Sequence, residues 1–211
     1  TKRLEGAVSK DGTTFAGYTF AAGAQILDTD SGGGCARIYP SRLAGVKLSG
    51  DDVRYYTLNA SGEIDRMVLH EVTGDTQTYV YVSGIEDNST EMNISVNYTY
   101  IQDGQVQHIN GGAKYAIKGG GAMLAYEKGA LKGIRQLASV DLDSLSPLSA
   151  MGGGREYPLA ENVQVLLRDG GGCYLTSLSQ VNGEDYKLTG WYDDLGCSAG
   201  GRVRIIVASA K

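Results

Sequence analysis

Residues 18–46, "YTFAAGAQILDTDSGGGCARIYPSRLAGV", and residues 157–181, "YPLAENVQVLLRDGGGCYLTSLSQV", decide how the chain is read. Each contains Gly-Gly-Gly-Cys, ending at Cys35 and at Cys173. Taken alone the run could be a metal loop, a phosphate loop or a turn. The flanks choose the turn, because Tyr18, Ala21, Gln25, Leu43 and Val46 match Tyr157, Ala160, Gln164, Leu178 and Val181 around an apolar pair and an Asp/Gly turn. A repeat of this kind is a unit of architecture. A weaker third copy is read in residues 115–140: Tyr115, Met123-Leu124, Leu137 and Val140 keep the frame, and Lys128-Gly129 stands at the turn without Cys.

Period-two alternation surrounds these stretches. Ile94, Val96, Tyr98 and Tyr100 fall on one face of "ISVNYTYI", and Asp103-Gly104 then offers a two-residue hairpin turn into "VQHIN". "VRYYTLNASGEIDRMVLHEV" reads as strand, turn at Ala60-Ser61-Gly62, strand, and "YKLTGWYDDLGCSAGGRVRIIVA" reads as strand, Gly-rich turn, strand. "ASVDLDSLSPLSAM" reads as a connection with at most one helical turn, since Pro147 and Gly152-Gly153-Gly154 bar a longer helix. The expected fold is all-β: tandem small antiparallel β-barrel or β-sandwich units with internal repeats, spanning 1–75, 76–149 and 150–211. Units this small bury too little alone, so they are expected to pack together.

Composition narrows the partners. The 211 residues carry a formal charge of −5 with Lys and Arg scattered, which argues against nucleic acid. No apolar run approaches the length of a membrane span. The 31 glycines and 14 tyrosines favour strands and tight turns. The opening "TKRLEGAVSKDG" has neither an initiator Met nor a leader, so the chain reads as a piece of a longer precursor. Cys35, Cys173 and Cys197 are too few for a disulfide scaffold, and all three are expected to be free.

No residue set makes a catalytic or metal site, and no cofactor is expected. Gly196-Cys197-Ser198-Ala199-Gly200 spells a nucleophile elbow, but a strand follows it and no His lies beyond His108. His70 and His108 each alternate with apolar neighbours and lack a second ligand at metal spacing. Asp28-Thr29-Asp30-Ser31-Gly32 begins like a calcium loop, yet Tyr39 stands where the bidentate Glu belongs. Gly119-Gly120-Gly121 lacks the Lys and helix of a phosphate loop. Asp51-Asp52 and Asp193-Asp194 are paired acids, but neighbours on a strand point to opposite faces. The candidates for ligand binding are the aromatic residues Tyr186, Trp191 and Tyr192, with Tyr55-Tyr56 in the first unit, since planar aromatics hold sugar faces. Core packing competes for the same residues, and Trp191 in particular is expected to be structural.

The succession "GEIDRMVLHEVTGDTQTYVYVSG", "YPLAENVQVLLRDGGGCYLTSLSQV", "YKLTGWYDD" and "GGRVRIIVA" resembles the C-terminal region of large secreted proteins with S-layer homology domains from gut-dwelling clostridia. The resemblance covers the whole chain and is most specific in the final third. It implies an extracellular, cell-envelope protein without an assigned activity, so no catalytic residue is carried over. A Cys at each GGGC departs from the pattern, where a Tyr or another strand residue is expected. The expected function is a non-catalytic structural or interaction module, with a wall or surface glycan or a protein as partner. The rivals are a carbohydrate-binding or adhesion module and a hydrolase.

Overall fold

Hairpin turns impose the architecture. In the computed structural model, which describes residues 3–211, Ala16-Gly17, Asp103-Gly104, Lys128-Gly129, Gly153-Gly154 and Gly170-Gly171 have positive φ at both positions. That geometry closes a two-residue turn whose twist matches the strands it joins, and glycine adopts it without strain. Strands occupy 59% of the chain and helix only 3%, among the described residues as two single 3₁₀ turns, so the all-β class holds.

Two compact units result. The first comprises residues up to Gln77 with Glu127–Ala130 and Leu195–Gly201. Its elements are β1(Gly6–Ala7), β2(Thr14–Phe15), β3(Tyr18–Thr29), β4(Cys35–Ile38), a 3₁₀ turn at Pro40–Leu43, β5(Lys47–Leu48), β6(Val53–Leu58) and β7(Ile64–His70). The main sheet runs β2-β3-β7-β6, with β4 also on β3, and β1 pairs β5 separately. Its core holds Phe15, Ile26, Leu43, Ile64, Met67 and Leu69, all fully buried.

The second unit comprises Thr78–Tyr126, Leu131–Asp194 and Arg202–Lys211, and so takes in residues on both sides of the expected 149/150 division. It begins with β8(Thr78–Asp87), β9(Val96–Gln102), β10(Gln105–Gly111), β11(Gly120–Glu127) and β12(Ala130–Gln136), then β13(Ala138–Leu142), β14(Ser144–Leu145) and β15(Ser149–Gly152). β16(Arg155–Asp169), β17(Gly172–Thr176), a 3₁₀ turn at Leu178–Gln180, β18(Tyr186–Tyr192) and β19(Val203–Ala210) complete it. One sheet runs β10-β9-β8-β11-β12 and the other β13-β18-β19-β16-β15-β14, with β17 on β16. Tyr81 and Ile101 of the first sheet meet Leu166, Ile205, Val207 and Trp191 of the other in one apolar cluster.

The repeat is visible residue by residue in the ladders. β3 runs parallel to β7, pairing Phe20 with Ile64 and, after a bulge, Gln25 with Arg66; β16 runs parallel to β19, pairing Leu159 with Val203 and, after the same bulge, Gln164 with Ile205. Cys35 faces Thr29 and Cys173 faces Arg168, each just past its turn. The parallel pair is a feature that alternation in the sequence does not reveal, since a strand's face pattern is indifferent to its partner's direction.

Three segments depart from the expectations. The middle copy belongs to a wholly antiparallel sheet, in which Lys128-Gly129 turns β11 into β12, so its likeness to the other two ends at the hairpin. "ASVDLDSLSPLSAM" is not a helical connection: it forms β13, β14 and part of β15. Ala138, Val140 and Leu142 alternate with Ser139 and Asp141, and that short period is a strand signal that outweighs the Pro147 and glycine breaks around it. Ile94 lies outside β9 and is exposed, whereas Val96, Tyr98 and Tyr100 face the core as expected.

Candidate binding groove

The aromatic candidates separate by fold position. Trp191, Tyr192 and Tyr186 all lie on β18 and are all half-buried. Tyr186 and Tyr192 pack on the core of their own sheet, and the Tyr192 ring sits 5.5 Å from that of Tyr157. Trp191 projects from the opposite face of β18 into the second cluster. A Cβ on either Gly120 or Gly121 of β11 would overlap the Trp191 side chain, so β11 and the indole are in close packing. Its Nε1 is buried and, among the described residues, meets no acceptor. All three are thus partly covered by packing within their own unit.

Tyr55 is 55% exposed on β6 in the first unit, and beside it runs a groove of about 830 Å³. Every residue of β6 from Val53 to Leu58 lines this groove, together with Arg3, Leu4, Gly50 and Asp51. Alternate side chains of a strand point to opposite faces, so a cavity touched by six residues in succession lies along the strand's edge. β6 ends its sheet, and among the described residues no strand pairs with its outer side. Arg3 is ion-paired with Asp51, while among the described residues Arg54 has no carboxylate partner. Arg54 is also the bulged residue: Val53 faces Leu69, Tyr55 faces Val68, and Arg54 between them is unpaired. The groove is thus open, aromatic and basic at its centre.

Other candidates are occupied by their own chain. Asp28, fully buried, accepts from Thr73 N at 2.8 Å, Thr73 Oγ1 at 2.6 Å and Val72 N at 3.2 Å. Asp30 closes its own glycine loop, accepting from Gly32 N and Gly34 N at 2.8 Å each. The two carboxylates therefore face different neighbours and do not converge. Ser198 Oγ donates to Asp52 Oδ2 at 2.9 Å, but both histidines are elsewhere: His70 Nδ1 lies 3.3 Å from Thr29 Oγ1, and His108 Nδ1 lies 3.2 Å from Thr99 Oγ1. Asp193 is buried against Arg204 at 2.8 Å, and Asp194 is exposed. Cys35 is an exposed free thiol; Cys173 is half-buried, and burial pushes its thiol pKa up. No group of three or more His, Cys, Asp or Glu among the described residues is arranged to hold a metal ion.

No helix among the described residues is long and apolar enough to cross a membrane. No family model, curated protein or solved structure matches the chain.

The groove was only half legible in the sequence. Tyr55-Tyr56 entered as part of the aromatic set, whereas Arg54 and Arg3 did not, because an edge strand and an inner strand have the same alternation.

Proposed function

We propose that the chain is a non-catalytic structural and interaction module of an extracellular, S-layer-associated bacterial envelope protein, and that it meets its partner in the groove along β6. The observation that carries this reading is the combination, among the described residues, of a strand edge without a pairing strand, exposed Tyr55 and Arg54 without a carboxylate partner in one open channel. Placement at the envelope rests on the resemblance of "GEIDRMVLHEV", "YKLTGWYDD" and "GGRVRIIVA" to the C-terminal region of S-layer homology proteins.

A second reading, carbohydrate binding or adhesion, is favoured by the exposed Tyr55 ring beside Arg54, since an aromatic face with a nearby polar group is how proteins grip sugars. A hydrolase reading finds only the Ser198–Asp52 hydrogen bond in its support.

Co-sedimentation with purified envelope fragments tests the proposal. The wild-type chain is expected to pellet with them and the Arg54→Ala/Tyr55→Ala variant to remain in the supernatant. Equal pelleting of both proteins would remove the groove from the account. Binding that survives protease treatment of the fragments would favour the carbohydrate reading.

A further inference from the structure

Resting on the reading of the β6 groove as an interaction surface, we propose that it receives an extended polypeptide strand from another protein, added antiparallel to β6, with an acidic side chain set against Arg54.

The argument comes from the chain's own second copy. Against β7, the strand β6 places Val53, Tyr55, Tyr56, Thr57 and Leu58 opposite Leu69, Val68, Met67, Arg66 and Ile64. Against β19, the strand β18 places Leu188, Thr189, Gly190, Trp191 and Tyr192 opposite Ala208, Val207, Ile206, Ile205 and Val203. The parallel ladders make Ile64 the counterpart of Val203 and Arg66 that of Ile205, so the two five-residue runs are equivalent. Both even share a bulge before their last residue, at Thr57/Leu58 and at Trp191/Tyr192. The outer edge of β18 is covered: β13 pairs with it antiparallel, setting Leu142 against Leu188, Asp141 against Thr189, Val140 against Gly190, Ser139 against Trp191 and Ala138 against Tyr192. The equivalent edge of β6 has no pairing strand among the described residues.

An uncovered strand edge is a row of unpaired amides and carbonyls that a partner strand can complete. The groove supplies the room. Six strand residues span about 20 Å, enough for the five pairings that β13 makes. Arg54 supplies selectivity. A bulge with a charged side chain discourages indiscriminate strand pairing, and here the charge lies next to Tyr55, the counterpart of Thr189, which faces Asp141 in the covered copy. A strand carrying an acid at that position would satisfy Arg54; a neutral or basic strand would leave it unpaired or repelled. A second copy of this chain presenting its own β6 would bring no acid, because residues 53–58 contain none.

The test uses a labelled peptide with the sequence of residues 136–144, Gln-Leu-Ala-Ser-Val-Asp-Leu-Asp-Ser, and the whole chain enriched in ¹⁵N. Fluorescence anisotropy is expected to give saturable binding, with amide shifts and slowed hydrogen exchange at Tyr55–Leu58. Methylating alternate backbone nitrogens of the peptide leaves the protein untouched and is expected to weaken binding at least about tenfold, the loss of two backbone hydrogen bonds. Replacing the peptide's Asp141 by Asn, or making Arg54→Glu, is expected to cost about fivefold or more through the lost charge-assisted contact. Shifts confined to Leu188–Tyr192, meaning exchange with β13, would overturn the proposal. So would equal affinity for the N-methylated peptide, or concentration-dependent dimers broken by Arg54→Glu. If envelope glycans bind in a Tyr55-dependent way and the peptide does not, strand pairing is overturned while the groove remains the interaction surface. If the Arg54→Ala/Tyr55→Ala variant still pellets with the fragments, the groove reading itself fails.

Discussion

The unit that begins at Tyr18 and the one that begins at Tyr157 share ladders, bulges and a parallel strand pair, yet they handle equivalent residues differently. Gln25 is exposed, whereas Gln164 is buried, donates to Tyr79 O at 2.7 Å and accepts from Asp103 N at 3.0 Å. Thr57 occupies the position that Trp191 fills in the second copy. A short loop joins β6 to β7, with Asn59 N donating to Glu63 O and Asn59 Oδ1 accepting from Glu63 N. The longer β18–β19 loop is closed by the same pair of bonds between Asp193 and Arg202. The frame is thus a reusable scaffold, and differences in covering and side chains decide what each copy does. In the second copy a neighbouring sheet and β13 cover the frame; in the first, among the described residues, no strand pairs with the outer edge of β6.

The sharpest way to break this comparison is to delete the large side chain present in only one copy. Trp191→Ala is expected to destabilise the second unit by about 3 kcal/mol, a fall of roughly 10 °C in Tm, because the indole fills the space beside Gly120 and Gly121. Thr57→Ala at the equivalent place is expected to cost less than about 1 kcal/mol. Equal melting temperatures for the two variants would mean that Trp191 is not packed.

The glutamine pair gives the next largest effect. Gln164→Ala leaves a buried carbonyl at Tyr79 and an amide at Asp103 short of the partner it supplied, at a cost of about 1–3 kcal/mol; Gln25→Ala is expected to stay within about 0.5 kcal/mol. Urea denaturation of both variants measures the difference. Matching midpoints would show that the two positions are equivalent in energy as well as in register.

The thiols form a smaller contrast. Cys35 is expected to react with iodoacetamide well before Cys173, whose raised pKa keeps the thiolate scarce at pH 8. Peptide mapping over a time course reads the order, and simultaneous labelling would contradict the burial of Cys173.

The smallest effect is electrostatic. Hydrogen bonds from Ser9 and Thr13 hold the Asp11 carboxyl down at about 2. A depressed carboxyl contributes stability above its ordinary value of 3.8 and loses it as pH falls through about 2. In the second copy the corresponding turn is closed by Ser146 and Ser149, which do not titrate. NMR shifts are therefore expected to change between pH 4 and pH 2 at Ser9–Thr13 and not at Ser146–Ser149.

Much of this molecule could be read before folding. Alternation in "VNYTYI", Gly-containing turns at Asp103-Gly104 and Gly170-Gly171, and the Tyr-x-x-Ala-x-x-x-Gln frame are local, so they located strands, hairpins and the repeat. The same alternation puts neighbouring Trp191 and Tyr192 on opposite faces of β18, as they are. What local signals could not supply is which strand lies beside which. The parallel pairing of β3 with β7, the covering of β18 by β13 and the place of β6 at the end of its sheet depend on contacts between residues far apart in the chain. Side-chain alternation carries information about faces, whereas edges are defined by backbone groups that every residue shares. The repeat and its turns were therefore written in the sequence, and the groove was decided only when one copy acquired a covering strand and the other did not.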